Sequence, residues 1–408
     1  MLLGAEVSRK VRLVPCGLFR LTLAAIPPTM QLSESMQNGF QLNPTFSFTL
    51  LGTLAIYFWS QPPTWTWIWV LPLAAALRAA CSKMTGGLGT YFGVEWISWG
   101  TFLGLASLMV LAVQAIRTPK KQRAVYTRAF YAGAVFPLLA MVAGYSIPLN
   151  LWLRPKTYDA FLLAFDRSLG FQPSFWLGRI LLKSHLVWGW TTVIYYALPL
   201  SGALLYASHR IRRRQPVAVL WLLLSFAIVG FAQYGVCPAV GPAHAFPALY
   251  PWKEDLTSQI ALQPLMVGSD PRNCMPSLHF GGALLVWWNS RIWPAWGQIC
   301  AGLFLLGTAF STLALGEHYL IDLVLAFPFA LAFQAAWTTA VPLASHRRIT
   351  PVVAGLGMTA AWYALLRYAI PVFQSSVALS WASIIVTVGW SSIMKRKLDV
   401  AVQAAVCS

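Results

Sequence analysis

The chain is built from apolar runs set close together, and this constrains its fold more than any other feature. A hydrocarbon core of roughly 30 Å takes about 20 apolar residues per helix. Such stretches lie near 45–60, 64–82, 95–116, 129–151, 187–207, 216–236, 277–293, 294–315, 318–343, 350–371 and 377–393. The first is short and is closely followed by Pro62-Pro63. The breaks between runs leave no room for a soluble domain. Only 10% of the 408 residues are charged and the mean hydropathy is +0.63, whereas a soluble domain carries roughly 25% charged residues. That excludes a cytosolic enzyme, a disordered chain and a disulfide scaffold. The expected fold class is an all-α polytopic membrane protein of about 10–11 spans.

The formal charge is +18, from 29 Lys and Arg against 11 Asp and Glu. In a soluble protein such an excess would point to nucleic acid, but here it falls in short clusters between apolar runs. Arg117, Lys120, Lys121, Arg123 and Arg128 form one cluster, and Arg210 with Arg212, Arg213 and Arg214 another. Arg347-Arg348 and Lys395-Arg396-Lys397 follow, each an even number of spans from the last. Together with Arg291 they mark one face as cytoplasmic. No nucleic-acid partner is expected. The N-terminus conflicts with this scheme, because Arg9, Lys10, Arg12 and Arg20 would hold it inside while eleven spans place it outside. A later start at Met30 or Met36, or a first segment that does not span, would each resolve this. The stretch 157–185 reads as two amphipathic pieces broken at Gly170 to Pro173. It either lies in the outer membrane interface or packs on the bundle as a connector.

With so few acids, an acid at a span boundary is informative, since an ionisable group there is costly and usually functional. Asp322 is one, and it lies four residues after His318, so on a helix the two share a face about 6 Å apart along the axis. A second feature is Met275-Pro276-Ser277-Leu278-His279 at the start of a span. Ser277 suits a helix N-cap, where free backbone N–H groups can bind an anion such as phosphate. Two spans separate His279 from His318, so both return to the same outer face. Between them and the preceding span runs a Pro- and aromatic-rich loop from Cys237 to Pro276. Its two cysteines could close a disulfide in an oxidising compartment. No residue spacing offers a metal site, and no cofactor is expected.

These residues carry a resemblance. Pro276-Ser277-Leu278-His279, then Ser311, then His318 with Asp322, resemble the last two signature blocks of the type-2 phosphatidic acid phosphatase superfamily. Leu278, Gly316-Glu317-His318-Tyr319, the Pro-Ala-Val-Gly-Pro loop at 238–242 and Asp166-Arg167-Ser168-Leu169-Gly170-Phe171 look like its inositol-phosphorylceramide synthase, or aureobasidin-resistance, branch. The resemblance implies a six-helix catalytic core over 129–343. Around it would lie an N-terminal tail (1–44), accessory spans (45–128), and C-terminal spans with a basic tail (344–408). It also implies a catalytic trio: His318 as nucleophile forming a phosphohistidine, Asp322 orienting it, and His279 as general acid and then base. Pro276, Ser277, Ser311 and Tyr319 are the accompanying candidate substrate contacts.

Two departures bear on the substrate. The stretch Tyr234 to Pro242 lacks the basic residues that the phosphatases carry there, and Thr312 stands where they have Arg after the serine. A phosphomonoester approaches −2 near neutral pH, whereas a diester carries −1 and is better matched to a site with fewer cations. Arg272, His244 and Lys253 in the outer loop are the candidate replacements. The expected activity is transfer of a phosphorylated, phosphoinositol-like head group from a phospholipid donor to a lipid hydroxyl at the non-cytoplasmic face of the cell membrane. The alternative acceptor is water, giving a lipid phosphate or diphosphate phosphatase. A non-catalytic transporter or scaffold is the alternative of a different class.

Overall fold

The computed structural model describes residues 44–85, 95–209, 215–268 and 270–407. The N-terminal basic residues, the candidate starts at Met30 and Met36, and the cluster from Arg210 to Arg214 lie outside the described residues. The helices, in chain order, are α1 (Pro44–Trp59), α2 (Trp67–Thr85), α3 (Glu95–Arg117), α4 (Lys120–Leu153), α5 (Asp159–Arg167), α6 (Pro173–Leu181), α7 (His185–Tyr196), α8 (Leu198–His209) and α9 (Val219–Gln233). They continue as α10 (Pro242–Ala245), α11 (Leu278–Asn289), α12 (Ala295–Ala314), α13 (Leu320–Ala336), α14 (His346–Tyr368), α15 (Ile370–Gln374) and α16 (Val377–Cys407). Two short strands, β1 (Lys156–Thr157) and β2 (Leu265–Met266), pair antiparallel and tie the outer loop to the chain ahead of α5.

The protein is an all-α polytopic membrane protein. Among the described residues five helices are long and apolar enough to cross a membrane: Trp99–Arg117, Gln122–Leu153, Ala295–Ala314, His346–Tyr368 and Val377–Val406. Phe46–Trp59, Val219–Gln233 and Leu320–Ala336 are apolar but shorter. The sequence reading expected more full-length spans, and local chemistry explains the difference. The run at 187–207 divides into α7 and α8, with Pro199 near the start of the second helix; proline removes an N–H and its ring clashes one turn back. Two expected breaks are helical instead. Lys120 to Arg128 form the opening turns of α4, and Lys395 to Lys397 lie inside α16, since lysine, arginine and glutamine are good helix formers. There Lys395 is buried and pairs with Asp399 at 2.5 Å, and Arg291 reaches the same carboxylate at 3.0 Å.

Three apolar clusters organise the packing. α1 to α4 close on α8 around Tyr57, Phe102 and Leu111. α9, α11, α12 and α13 share a second around Phe226, Leu284 and Phe329. The third joins α5 and α6 to the outer loop, α13, α14 and α16 through Phe165, Phe175 and Trp362. The stretch 157–185 therefore packs on the bundle. α5 buries Leu162, Leu163 and Phe165, and α6 lies against α12, leaving Trp176 53% exposed.

Candidate active site

The chain between α12 and α13 sets the centre of the site. Gly316 turns it with φ +72°, and the His318 N–H donates to the Thr312 carbonyl at 3.1 Å. The Ser174 hydroxyl on α6 donates to the His318 carbonyl at 2.9 Å, so the residue is fixed from both sides. Asp322 occupies the first turn of α13 and reaches back to accept the Tyr319 N–H at 2.7 Å, one half of a capping box. Its Oδ2 lies 3.5 Å from His318 Nδ1. That exceeds a hydrogen bond, and such pairs are often long before substrate arrives. His318 is 1% exposed and Asp322 fully buried; both ring nitrogens of His318 and Asp322 Oδ1 have no hydrogen-bond partner.

His279 enters from α11. Its ring centroid is 6.3 Å from that of His318, and Tyr195 of α7 stacks on it at 3.9 Å. The three residues singled out from sequence thus meet, carried by α11, the α12–α13 turn and α13. His279 is only partly buried and forms the open side of the group.

Two acids from α5 hold this arrangement in place. Asp166 accepts the Leu320 N–H at 2.7 Å and the Ile321 N–H at 3.3 Å, capping α13 beside Asp322. Asp159 accepts the Tyr319 hydroxyl at 3.0 Å, together with the Val240 and Gly241 N–H groups. Gly241, at φ +88°, sits where a Cβ would come within 2.6 Å of the Glu317 and Gly316 backbone. Burial pushes the carboxyl of Asp159 up to about 6 and that of Asp166 up to about 8, against the pull of these backbone donors. The scarcity of acids that singles out Asp322 applies equally to Asp159 and Asp166. Their roles escaped the sequence because their partners are backbone groups more than 80 residues away.

The remaining candidates have other commitments. Ser277 caps α11, accepting the Phe280 N–H at 3.3 Å, and Pro276 is buried beside it. Ser311 donates to the Thr308 carbonyl inside α12, and the Tyr319 hydroxyl is held by Asp159. Arg272 is fully buried and donates to five backbone carbonyls, those of Arg154, Pro155, Val267, Gly268 and Asp270. It braces the outer loop and is not placed as a phosphate clamp. His244 bridges Asp270 at 3.1 Å and Glu317 at 3.2 Å. Burial opposes its protonation, but the hydrogen bond and charge of Glu317, with those of Asp270, prevail and raise it to about 9. Lys253 is exposed on the loop.

The disulfide is not formed: Cys237 and Cys274 are both free and buried. Cys274 instead donates its S–H to Asp322 Oδ2 at 2.8 Å. This corrects the reading of the spacing in a second respect, because the fold assembles three potential metal ligands, Cys274, His318 and Asp322, with ligand atoms within 4.8 Å of one another. The Cys274 sulfur and Asp322 Oδ2 are in hydrogen-bond contact at 2.8 Å, closer than two ligand atoms lie on a tetrahedral zinc with bonds of about 2.0–2.3 Å. Burial also pushes the Cys274 thiol well up, which favours S–H over the thiolate a metal requires. The donor set fits a hydrogen-bonded thiol better than a metal centre.

Residues 160–336, from α5 to the end of α13, match the family model described as the PAP2 superfamily. No curated protein and no solved structure gives a significant match. The family match covers somewhat under half of the chain and contains all of His279, His318 and Asp322. The match is confined to the α5–α13 region, which is similar to the PAP2 superfamily, and it supports a lipid enzyme of the phosphatase or phosphotransferase type.

Proposed function

We propose that the protein transfers a phosphorylated head group between lipids at the non-cytoplasmic face of the membrane, without a metal. His318 attacks phosphorus through the ring nitrogen facing away from Asp322, displacing the donor's alkoxide and forming a phosphohistidine. Asp322 fixes the tautomer and stabilises the imidazolium that develops. His279, its ring centroid 6.3 Å from that of His318, protonates the leaving oxygen and then takes the proton of the acceptor hydroxyl as that oxygen attacks the phosphohistidine. The single observation that carries this reading is the meeting of His279 with the buried His318–Asp322 pair.

A phosphodiester donor is favoured over a phosphomonoester by the charge of the surroundings. Arg272 is spent on backbone carbonyls and the His244 cation is matched by two carboxylates. Surroundings so poor in free positive charge suit a monoanionic diester and its phosphoinositol-like head group. The outer-face assignment rests on the basic clusters opposite, from Arg117 to Arg128 and at Arg347-Arg348.

The test uses purified protein in mixed, head-group-labelled phospholipids. Wild type is expected to move label onto a second lipid, and His318→Ala to lose at least about 10³-fold. Asp322→Asn is expected to lower trapped phosphohistidine by about 10²–10⁴-fold. Label released only as free phosphate or phospho-alcohol would establish the hydrolase. Equal behaviour of wild type and His318→Ala over a broad lipid panel would end the catalytic reading.

A further inference from the structure

A cleft of about 170 Å³ opens between the start of α5, the beginning of the outer loop and the C-terminal end of α14. Its walls divide by chemistry. Phe161, Leu162, Val236 and Leu366 form an apolar side, while Arg367 and Tyr363 supply the polar groups. The Arg367 guanidinium is steadied by two rings, 5.1 Å from the centroid of Tyr158 and 5.5 Å from that of Tyr368. Among the described residues no carboxylate pairs with it. The Tyr363 hydroxyl is buried and has no hydrogen-bond partner there. An exposed cation without a carboxylate partner and a tyrosine whose buried hydroxyl lacks an acceptor line one cleft, and a buried unmade hydrogen bond is costly.

We propose that this cleft binds the phosphodiester of an anionic glycerophospholipid. Arg367 faces the phosphate with a charge-assisted fork, the Tyr363 hydroxyl donates to the head group, and the acyl chain follows the apolar wall. Free phosphate would leave that wall unused. A zwitterionic head group would lack a partner for its ammonium, because the lining holds no carboxylate and the tyrosine rings are already occupied by Arg367. Arg367, Tyr363 and Tyr368 belong to α14, outside the region matched to the PAP2 superfamily. The site would thus be an addition made by the C-terminal helices, and it stands whether or not His318 is the nucleophile.

The test measures phosphatidylglycerol retained by the full chain in phosphatidylcholine nanodiscs, by native mass spectrometry, in a His318→Ala background so that turnover cannot consume lipid. Arg367→Gln is expected to reduce retention about tenfold and Tyr363→Phe about threefold, one lost charged and one lost neutral hydrogen bond. Arg367→Lys should fall between wild type and Arg367→Gln, which separates recognition from misfolding. Retention unchanged in Arg367→Gln and Tyr363→Phe would overturn the proposal. So would equal retention of phosphatidylcholine, or displacement of the lipid by inorganic phosphate.

Discussion

Asp322 does several things with one carboxylate. Its Oδ2 caps the turn through Tyr319, accepts the Cys274 thiol, and faces His318 Nδ1. Held by two donors, this carboxylate stays aimed at the imidazole. In the proposed mechanism Cys274 is a positioning residue, reaching His318 through its hydrogen bond to this carboxylate. Cys274→Ala should therefore lower the rate about tenfold or less, the worth of one hydrogen bond, with KM little changed. If the trio is metal-free, wild-type activity should also survive a strong chelator. Abolition by chelation, with restoration by zinc, would instead make Cys274, His318 and Asp322 a metal site.

At the level of elements, the start of α13 is the critical joint. It carries Asp322, follows His318 directly, and receives the Asp166 carboxylate of α5 on its first two N–H groups. Asp166→Ala leaves both donors buried without an acceptor and should destabilise the protein by about 1–2 kcal/mol. Because the same turn sets the His318–Asp322 geometry, kcat should fall as well. Asp166→Asn keeps an acceptor oxygen and should recover most of both, as read by thermal unfolding in detergent and by head-group transfer. Recovery of stability without activity would separate the capping role from the geometric one. At its other end α13 is capped by Arg348 of α14, which donates to the carbonyls of Ala335 and Ala336. Both ends of the helix that holds the site are thus secured by groups from other elements.

At the level of the whole molecule, the outer loop is fastened to the bundle by the β1–β2 pair, by Arg272 and by the Asp270–His244–Glu317 bridge. The bridge is sensitive to pH. His244 is raised to about 9 in the folded protein, against about 6.5 in an unfolded chain. Its contribution is fully present below about pH 6.5 and is lost as pH rises through about 9. The melting temperature should therefore fall over that window, and His244→Gln should flatten the fall by about 2–4 °C. An identical pH profile in the variant would show that the bridge does not hold the loop. Since Glu317 adjoins His318, transfer activity should decline over the same range.

The sequence by itself determined the class of fold and the proximity of His318 to Asp322. The first follows from apolar run length against bilayer thickness. The second follows from closeness in the chain, since His318 lies ahead of α13 and meets Asp322 through the turn and cap at Tyr319 and not on a shared helix face. Acid scarcity drew attention to Asp322 because a carboxylate near lipid is costly. The tertiary structure alone decided which candidates are free to act. Arg272 reads as a phosphate ligand until five carbonyls are found on its guanidinium, and His244 reads as a free cation until Asp270 and Glu317 flank it. Cys237 and Cys274 read as a pair until one thiol is found on Asp322. Asp159, Asp166, Ser174 and Tyr195 gained their roles only from backbone groups and rings brought in from distant helices. Such partnerships leave no periodic trace in a sequence, because the hydrogen-bonding capacity of a side chain is written locally and its satisfaction is settled by packing.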